Sequence, residues 1–269
     1  MIPAAFEYLA PTTIDEAVAM LTAHGDDAKL LAGGQSLIPA MRFRLAAPAV
    51  LIDINNLPNL EYVREENGYL AIGALTRETA LDESPLVVRA YPLLADAAKV
   101  IADPLVRNRA TVGGNVAHAD PANDHPAVML AYNAQIVAHG PKGRRTISVD
   151  DLFVGIFETS LQPDEVLVEL RIPTPGPGSG GAYIKIERKV GDYAVSAVAV
   201  QLVMNGNTCM AARVALTNVN PVPMRSSGAE QALVGQTLTD EVLEAAGRAA
   251  AEECDPSEDL RGTVEYKRV

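Results

Sequence analysis

Cysteine, positive charge and long apolar runs are what this chain has little of, and each shortage excludes a class of protein. Only two cysteines, Cys209 and Cys254, occur in 269 residues. They are too few for a disulfide framework, and too few for an iron–sulfur cluster, which normally takes four thiolates. Lys and Arg number 22 against 34 Asp and Glu, a net charge of −12. No basic stripe reverses that field locally, so the surface repels phosphate backbones and nucleic acid is not an expected partner. The longest apolar run, Ala194 to Met204, is far too short for a membrane span and suits a buried strand. The start, Met1-Ile2-Pro3-Ala4-Ala5, has neither a basic n-region nor an apolar h-region. No secretory signal is therefore expected, and a cytoplasmic location fits. The histidines, His24, His118, His125 and His139, show no zinc-like spacing.

What remains is ample for folding. Hydrophobic residues make up 48% of the chain, enough for a core in one large or two modest domains. The N-terminal stretch alternates helix and strand signals. Thr13 and Glu16 form a capping box ahead of a helix from Ile14 to Thr22, with Gly25 placed to end it. Short strands are expected over Lys29 to Ala32 and Val50 to Ile54, with a helical turn or irregular piece over Ile38 to Leu45. From Leu60 to Pro173 the mixture continues. A strand is expected at Tyr69 to Ile72, a helix start at Thr76 to Leu81 and a helix over Tyr91 to Ile101. Val128 to Val137 is mixed, and Glu165 to Ile172 alternates as a half-buried strand would. Pro173 to Gly181 is too dense in proline and glycine to continue a helix or sheet and reads as a linker. Beyond it, strands over Ala182 to Glu187, Ala194 to Met204 and Met210 to Leu216 precede helices at Glu230 to Leu233 and Asp240 to Glu253. Asn205-Gly206 signals a hairpin between the second and third strands.

Two segments carry chemistry: Ala32-Gly33-Gly34-Gln35-Ser36 after a strand, and Thr111-Val112-Gly113-Gly114-Asn115 after Arg107-Asn108-Arg109. Paired glycines let a diphosphate approach backbone amides, and Ser36, Thr111 and Asn115 add side-chain donors. Neutral amides suit an anion site in an acidic protein. Neither segment is a G-x-G-x-x-G dinucleotide fingerprint or a P-loop, and each alone also reads as a tight turn. Together they point to a nucleotide cofactor.

With Ala119-Asp120-Pro121-Ala122-Asn123-Asp124, Lys189-Val190-Gly191-Asp192-Tyr193-Ala194 and Leu216-Thr217-Asn218-Val219, the two segments resemble the FAD-binding medium subunit of molybdenum hydroxylases. Asp259-Leu260-Arg261-Gly262 and Glu265-Tyr266 match that pattern more loosely. The likeness covers nearly the whole chain and is nearest to the aerobic carbon monoxide dehydrogenase type, within a group that includes xanthine dehydrogenase. It implies an α+β architecture, with two α/β subdomains clasping FAD. A small C-terminal domain would follow, with a three-stranded antiparallel sheet and helices. The corresponding boundaries are 1–175 for the FAD-binding domain, subdivided at about 58/59, and 176–269 for the C-terminal domain.

The resemblance further implies that Gly33, Gly34, Gln35 and Ser36 on one side hold the FAD pyrophosphate. Thr111, Gly114 and Asn115 would do so on the other. Lys29, Ala32, Leu37 and Ala102 complete the expected contacts. Asp124 falls on a polar part of the cofactor, although it also reads as a helix-capping residue ahead of Pro126. Leu167 and Lys185 match positions near the flavin ring, where a lysine would stabilise charge on the reduced form. Tyr193 matches an aromatic that covers the ring. On their own, Lys185 reads as a solvated strand lysine and Tyr193 as a core or turn tyrosine. Gln35 stands where some relatives have histidine, and relatives usually continue through a further helix beyond Arg268-Val269.

Non-covalent FAD is the expected cofactor, with no metal and no catalytic residue in this chain. A small subunit with two [2Fe–2S] clusters and a large subunit with the molybdenum cofactor are the expected partners. A dimer of heterotrimers is the expected assembly. Electrons would enter FAD from the clusters and leave to a quinone, NAD or oxygen, with carbon monoxide the leading substrate of the complex. Two alternatives stay open: a self-sufficient FAD oxidase or reductase, and an assembly module without cofactor.

Overall fold

A computed structural model describes residues 2–268. The chain opens with β1 (Glu7–Leu9), α1 (Ile14–His24), β2 (Ala28–Leu31), α2 (Leu37–Phe43) and β3 (Val50–Asp53). The three strands form a parallel sheet in the order β1-β3-β2. Thr13 and Glu16 make the expected capping box at the start of α1, whose Ala17, Val18 and Leu21 are buried. The stretch from Ile38 onward is a true helix, ended by left-handed Arg44.

The second unit contains β4 (Val63–Glu66), β5 (Tyr69–Gly73), α3 (Glu78–Asp82), α4 (Pro85–Ala90), α5 (Pro92–Val100) and α6 (Pro104–Arg107). It continues through α7 (Val112–His118), α8 (Asp124–Tyr132), β6 (Gln135–Gly140), β7 (Gly143–Ser148), β8 (Phe153–Gly155), β9 (Glu158–Thr159) and β10 (Val166–Pro173). The segment from Val128 to Val137 thus resolves into the end of α8, a left-handed turn at Asn133 and the start of β6. Five antiparallel strands run in the order β4-β5-β10-β6-β7.

At the centre of that sheet, β10 is buried on both faces rather than half-buried. One face gives Leu167, Leu170 and Ile172 to the main core with α5 and α8. The other gives Val166 and Val168 to a second cluster that holds Ala17, Val18 and Leu21 of α1. The first unit is therefore packed on the back of this sheet. At roughly 1.5–3 kcal/mol per fully buried aliphatic side chain, that shared wall fixes the angle between the two units.

The linker is shorter than its composition suggests. Strand pairing takes up Pro173 at one end and Ser179-Gly180-Gly181 at the other. β11 (Ser179–Ile186), β12 (Ser196–Asn205), β13 (Thr208–Thr217) and β14 (Met224–Arg225) then form one antiparallel sheet. It has four strands where the resemblance implied three, because Leu216 and Ala215 pair with Met224 and Arg225. The hairpin turn falls one residue later than its sequence signal: Asn205 pairs with Thr208, leaving Gly206, at φ +57°, and Asn207 at the tip. One face of this sheet joins the main core through Tyr183, Ala197, Ala199 and Ala215. The other is covered by α9 (Ser227–Leu233) and α10 (Asp240–Glu253), and α11 (Val264–Arg268) closes the described chain. No helix of the described residues is long and apolar enough to cross a membrane.

Candidate cofactor-binding cleft

The two glycine segments meet. The first follows strand β2 and the second follows helix α6, and between them runs a cleft of about 560 Å³. Every site residue expected from the sequence lines it except Lys185: Lys29, Ala32, Gly33, Gly34, Gln35, Ser36 and Leu37 from the first unit; Ala102, Thr111, Gly114, Asn115, Asp124 and Leu167 from the second; Tyr193 from the loop after β11. His118, Asn123 and Asp192 line it as well. The volume lies within the roughly 300–1,000 Å³ of small-molecule sites.

The segments contact each other so closely that a side chain at Gly33 has no room. A Cβ there would lie 2.5 Å from the Arg109 carbonyl oxygen and 2.7 Å from Ala110 Cα. Gly34 follows at φ +73°, a conformation that glycine adopts freely. Among the described residues, the amides of Gly33, Gly34, Gln35, Ser36 and Leu37 donate to no protein acceptor. A row of unpaired N–H groups beside a cleft is an anion-binding nest.

The second segment is built differently. Thr111 is the N-cap of α7, and its Oγ1 accepts from the Gly114 amide at 3.2 Å. The neighbouring amides are also occupied: Val112 donates to Thr76, Gly113 to Ala74 and Asn115 to Thr111, all through backbone carbonyls. Its glycines serve packing, since a Cβ on Gly113 would lie 2.6 Å from Ala74 Cβ. What this side can offer a ligand is the Thr111 hydroxyl proton and the Asn115 carboxamide, whose Oδ1 is buried without a partner.

Asp124 is the first residue of α8, not its cap, which is Asn123. Tyr183 donates its hydroxyl to Asp124 Oδ1 at 2.7 Å, and Lys185 Nζ lies 3.2 Å from Oδ2. Lys185 is no solvated lysine. Its side chain is 1% exposed, donates to the Val100 carbonyl at 3.0 Å, and stands behind Asp124 instead of in the cleft wall. Burial pushes the Asp124 carboxyl above its ordinary range, and the Lys185 charge and Tyr183 hydrogen bond only partly offset that. Burial likewise pushes the His118 imidazole down, opposed by Asp120. Deeper still, His125 Nε2 and Glu78 Oε2 make a fully buried pair at 2.7 Å. Burial alone would lower the His125 pKa, but the Glu78 carboxylate outweighs it and raises it.

Tyr193 is held from the C-terminal segment. Arg261 lies 5.0 Å from its ring centroid and 3.4 Å from Asp192. Asp259 receives the Arg261 amide at 2.7 Å and Lys267 Nζ at 2.8 Å. This gives Asp259-Leu260-Arg261-Gly262 a physical task, the support of the loop that carries Tyr193. Sequence reading missed another support, Asn55 and Arg77, which tie the backbones of the two glycine segments. Asn55 follows β3 in a polar turn, an ordinary signal, and nothing local marks Arg77.

The family model for the FAD-binding domain in molybdopterin dehydrogenase matches residues 4–175, and that for the CO dehydrogenase flavoprotein C-terminal domain matches residues 181–269. The chain is 51% identical to the carbon monoxide dehydrogenase medium chain of Hydrogenophaga pseudoflava, covering 99% of this chain and 93% of that one. It is 42% identical to the corresponding medium chain of Afipia carboxidovorans over the same shares of each. Among solved structures, carbon monoxide dehydrogenase from H. pseudoflava, in a form lacking the Mo-pyranopterin moiety of its cofactor, superposes with a TM-score of 0.97. That match has 51% identity and covers 100% of this chain and 93% of the other.

Proposed function

The chain belongs to the FAD-binding medium subunits of the molybdenum hydroxylases, and from that premise we propose how its own residues serve as an electron-transfer subunit. The observation that carries this reading is the row of unpaired amides from Gly33 to Leu37 on a cleft between two rigidly packed units. These residues fit a dinucleotide diphosphate, which needs donors but no lysine in so acidic a chain. Gly33, Gly34, Gln35 and Ser36 would hold the pyrophosphate through N–H donors, and the Thr111 hydroxyl and the Asn115 side-chain NH2 would donate to it from the second segment. Lys29, Ala32, Leu37, Gly114, Ala102 and Leu167 line the rest of the cofactor's path.

FAD bound there supplies the redox chemistry, accepting electrons from a donor and passing them on. The protein supplies orientation and charge. Asp124 accepts from cofactor hydroxyl or N–H groups while Lys185 behind it keeps a positive charge within one hydrogen bond of that contact. Tyr193, steadied by Arg261 at the cleft wall, would cover the flavin and limit access of water. On this reading residues 1–175 are the FAD-binding domain, with subdomains of about 1–58 and 59–175, and 176–269 are a domain that docks and supports the cover.

Electrons come from a small subunit with [2Fe–2S] clusters, and substrate is oxidised at the molybdenum cofactor of a large subunit, with carbon monoxide the substrate favoured by the likeness. A dimer of heterotrimers in the cytoplasm completes the proposal. An absorbance spectrum of the natively purified complex tests it. Released FAD and two co-purifying chains bearing iron–sulfur and molybdenum are expected. A lone chain that turns over a small substrate, or a complex without flavin, would overturn the reading.

A further inference from the structure

The first glycine segment can work as a nest only if its peptide planes are held with the N–H groups outward. The structure shows what holds them. Asn55 Nδ2 donates to the Ala32 carbonyl at 2.6 Å, in the peptide that leads into Gly33. In a trans peptide the C=O and N–H point in opposite directions, so fixing that carbonyl on Asn55 aims the Gly33 amide away from it. Arg77 then joins the two segments. Its Nη2 donates to Asn55 Oδ1 at 2.9 Å, and its Nη1 donates to the Arg109 carbonyl at 2.7 Å. That carbonyl is the atom against which Gly33 is packed.

The tie is anchored in the first sheet. Asp53, the last residue of β3, accepts from the Asn55 amide at 2.9 Å and from the Tyr8 hydroxyl at 2.6 Å. Burial alone would raise the Asp53 carboxyl, but the Tyr8 and Asn55 hydrogen bonds and the Arg77 charge outweigh it and hold it ionised below its usual range. Neither Asn55 nor Arg77 lines the cleft. Both act through the backbone, one in the first unit and one in the second.

We propose that Asn55 and Arg77 are positioning residues for the cofactor: a carboxamide–guanidinium tie that sets the aim of the Gly33 peptide and the spacing of the two glycine segments. The proposal rests on the FAD reading above. Arg is suited to the place because its planar fork holds two acceptors in fixed directions, where a lysine offers one rotatable ammonium.

The test compares the full-length chain with its Asn55→Asp, Arg77→Gln and Arg77→Lys variants. The readouts are FAD affinity of the apo form, visible circular dichroism of the bound flavin, and apo thermal stability. Asn55→Asp keeps the shape but turns the donor toward the Ala32 carbonyl, and toward Asp53 Oδ1 at 2.7 Å, into an acceptor. It is expected to weaken FAD binding about 30-fold or more. Arg77→Gln should weaken it about 10-fold and Arg77→Lys should recover part of the loss. Each variant should alter the flavin dichroism, and in the two Arg77 variants the apo melting temperature should move little. Equal affinity and dichroism in all variants would overturn the tie and leave the FAD reading intact. Losses of affinity that only track a falling apo stability, with unchanged dichroism, would also overturn it. A wild-type chain that binds no FAD would overturn both.

Discussion

The two glycine segments look alike in sequence and differ in what their backbones have left to give. From Gly33 to Leu37 the residues line the cleft and their amides have no protein partner among the described residues. From Val112 to Asn115 every amide is already spent, on Thr76, Ala74 and Thr111. The first is a nest, and the second is a capped helix start packed on Ala74 that presents side chains. A Gly-Gly pair therefore signals close approach without saying to what. At Gly34 the need is a positive φ, and at Gly113 it is a neighbouring backbone.

The sharpest way to break this comparison is at Gly33. In Gly33→Val the new side chain meets backbone atoms of Arg109 and Ala110 that have no flexible end to move aside. Full loss of flavin retention is expected, with about 1–3 kcal/mol of destabilisation from overpacking, measured by flavin content and chemical unfolding. Gly113→Ala is the counterpart on the second side. The clash with Ala74 should lower stability by a similar ~1–3 kcal/mol, while FAD binds the folded fraction with at most a few-fold weaker affinity.

A finer contrast separates two hydroxyls. Thr111→Val removes an N-cap and should cost roughly 1 kcal/mol of stability, with a several-fold loss of FAD affinity. Ser36 makes no side-chain cap hydrogen bond and its hydroxyl meets that of Tyr193, so Ser36→Ala should cost less stability than Thr111→Val while lowering FAD affinity. Equal stability effects from the two substitutions, read by thermal melts of the apo chain, would erase the distinction.

The smallest effect concerns the cover. Burial would raise the Asp259 carboxyl, but Lys267, Asn218 and the Arg261 and Gly262 amides hold it down to about 2. A carboxylate with a depressed folded pKa stabilises above its unfolded value and loses that contribution as pH falls through the folded one. The C-terminal segment should therefore loosen between about pH 4 and pH 2, exposing Tyr193 to quenchers. In Asp259→Asn that acid-dependent step should vanish.

Much of the fold was legible because its signals are local. The capping box at Thr13 and Glu16 depends on neighbours in sequence. So do the proline–glycine linker, though strand pairing shortens it at both ends, and the hairpin after β12, though its turn sits one residue on at Gly206-Asn207. The double burial of β10 was not legible, because its second face is covered by α1 from more than a hundred residues away. β14 escaped notice because two residues carry no periodicity. At the cleft, the glycine segments stood out by residue type, whereas the supports did not. Arg77 and Asn55 act through carbonyls of other segments, and Lys185 reads as an ordinary strand lysine until Asp124 is seen beside it.

The most direct test of the central claim, that the first segment is the nest and the second is not, is amide hydrogen exchange on the apo and FAD-loaded chain. FAD should slow exchange at Gly33 to Leu37 by at least ~10-fold, whereas Val112 to Asn115 should be protected already in the apo form and change little. Equal gains of protection in both segments, or none at Gly33 to Leu37, would contradict the account.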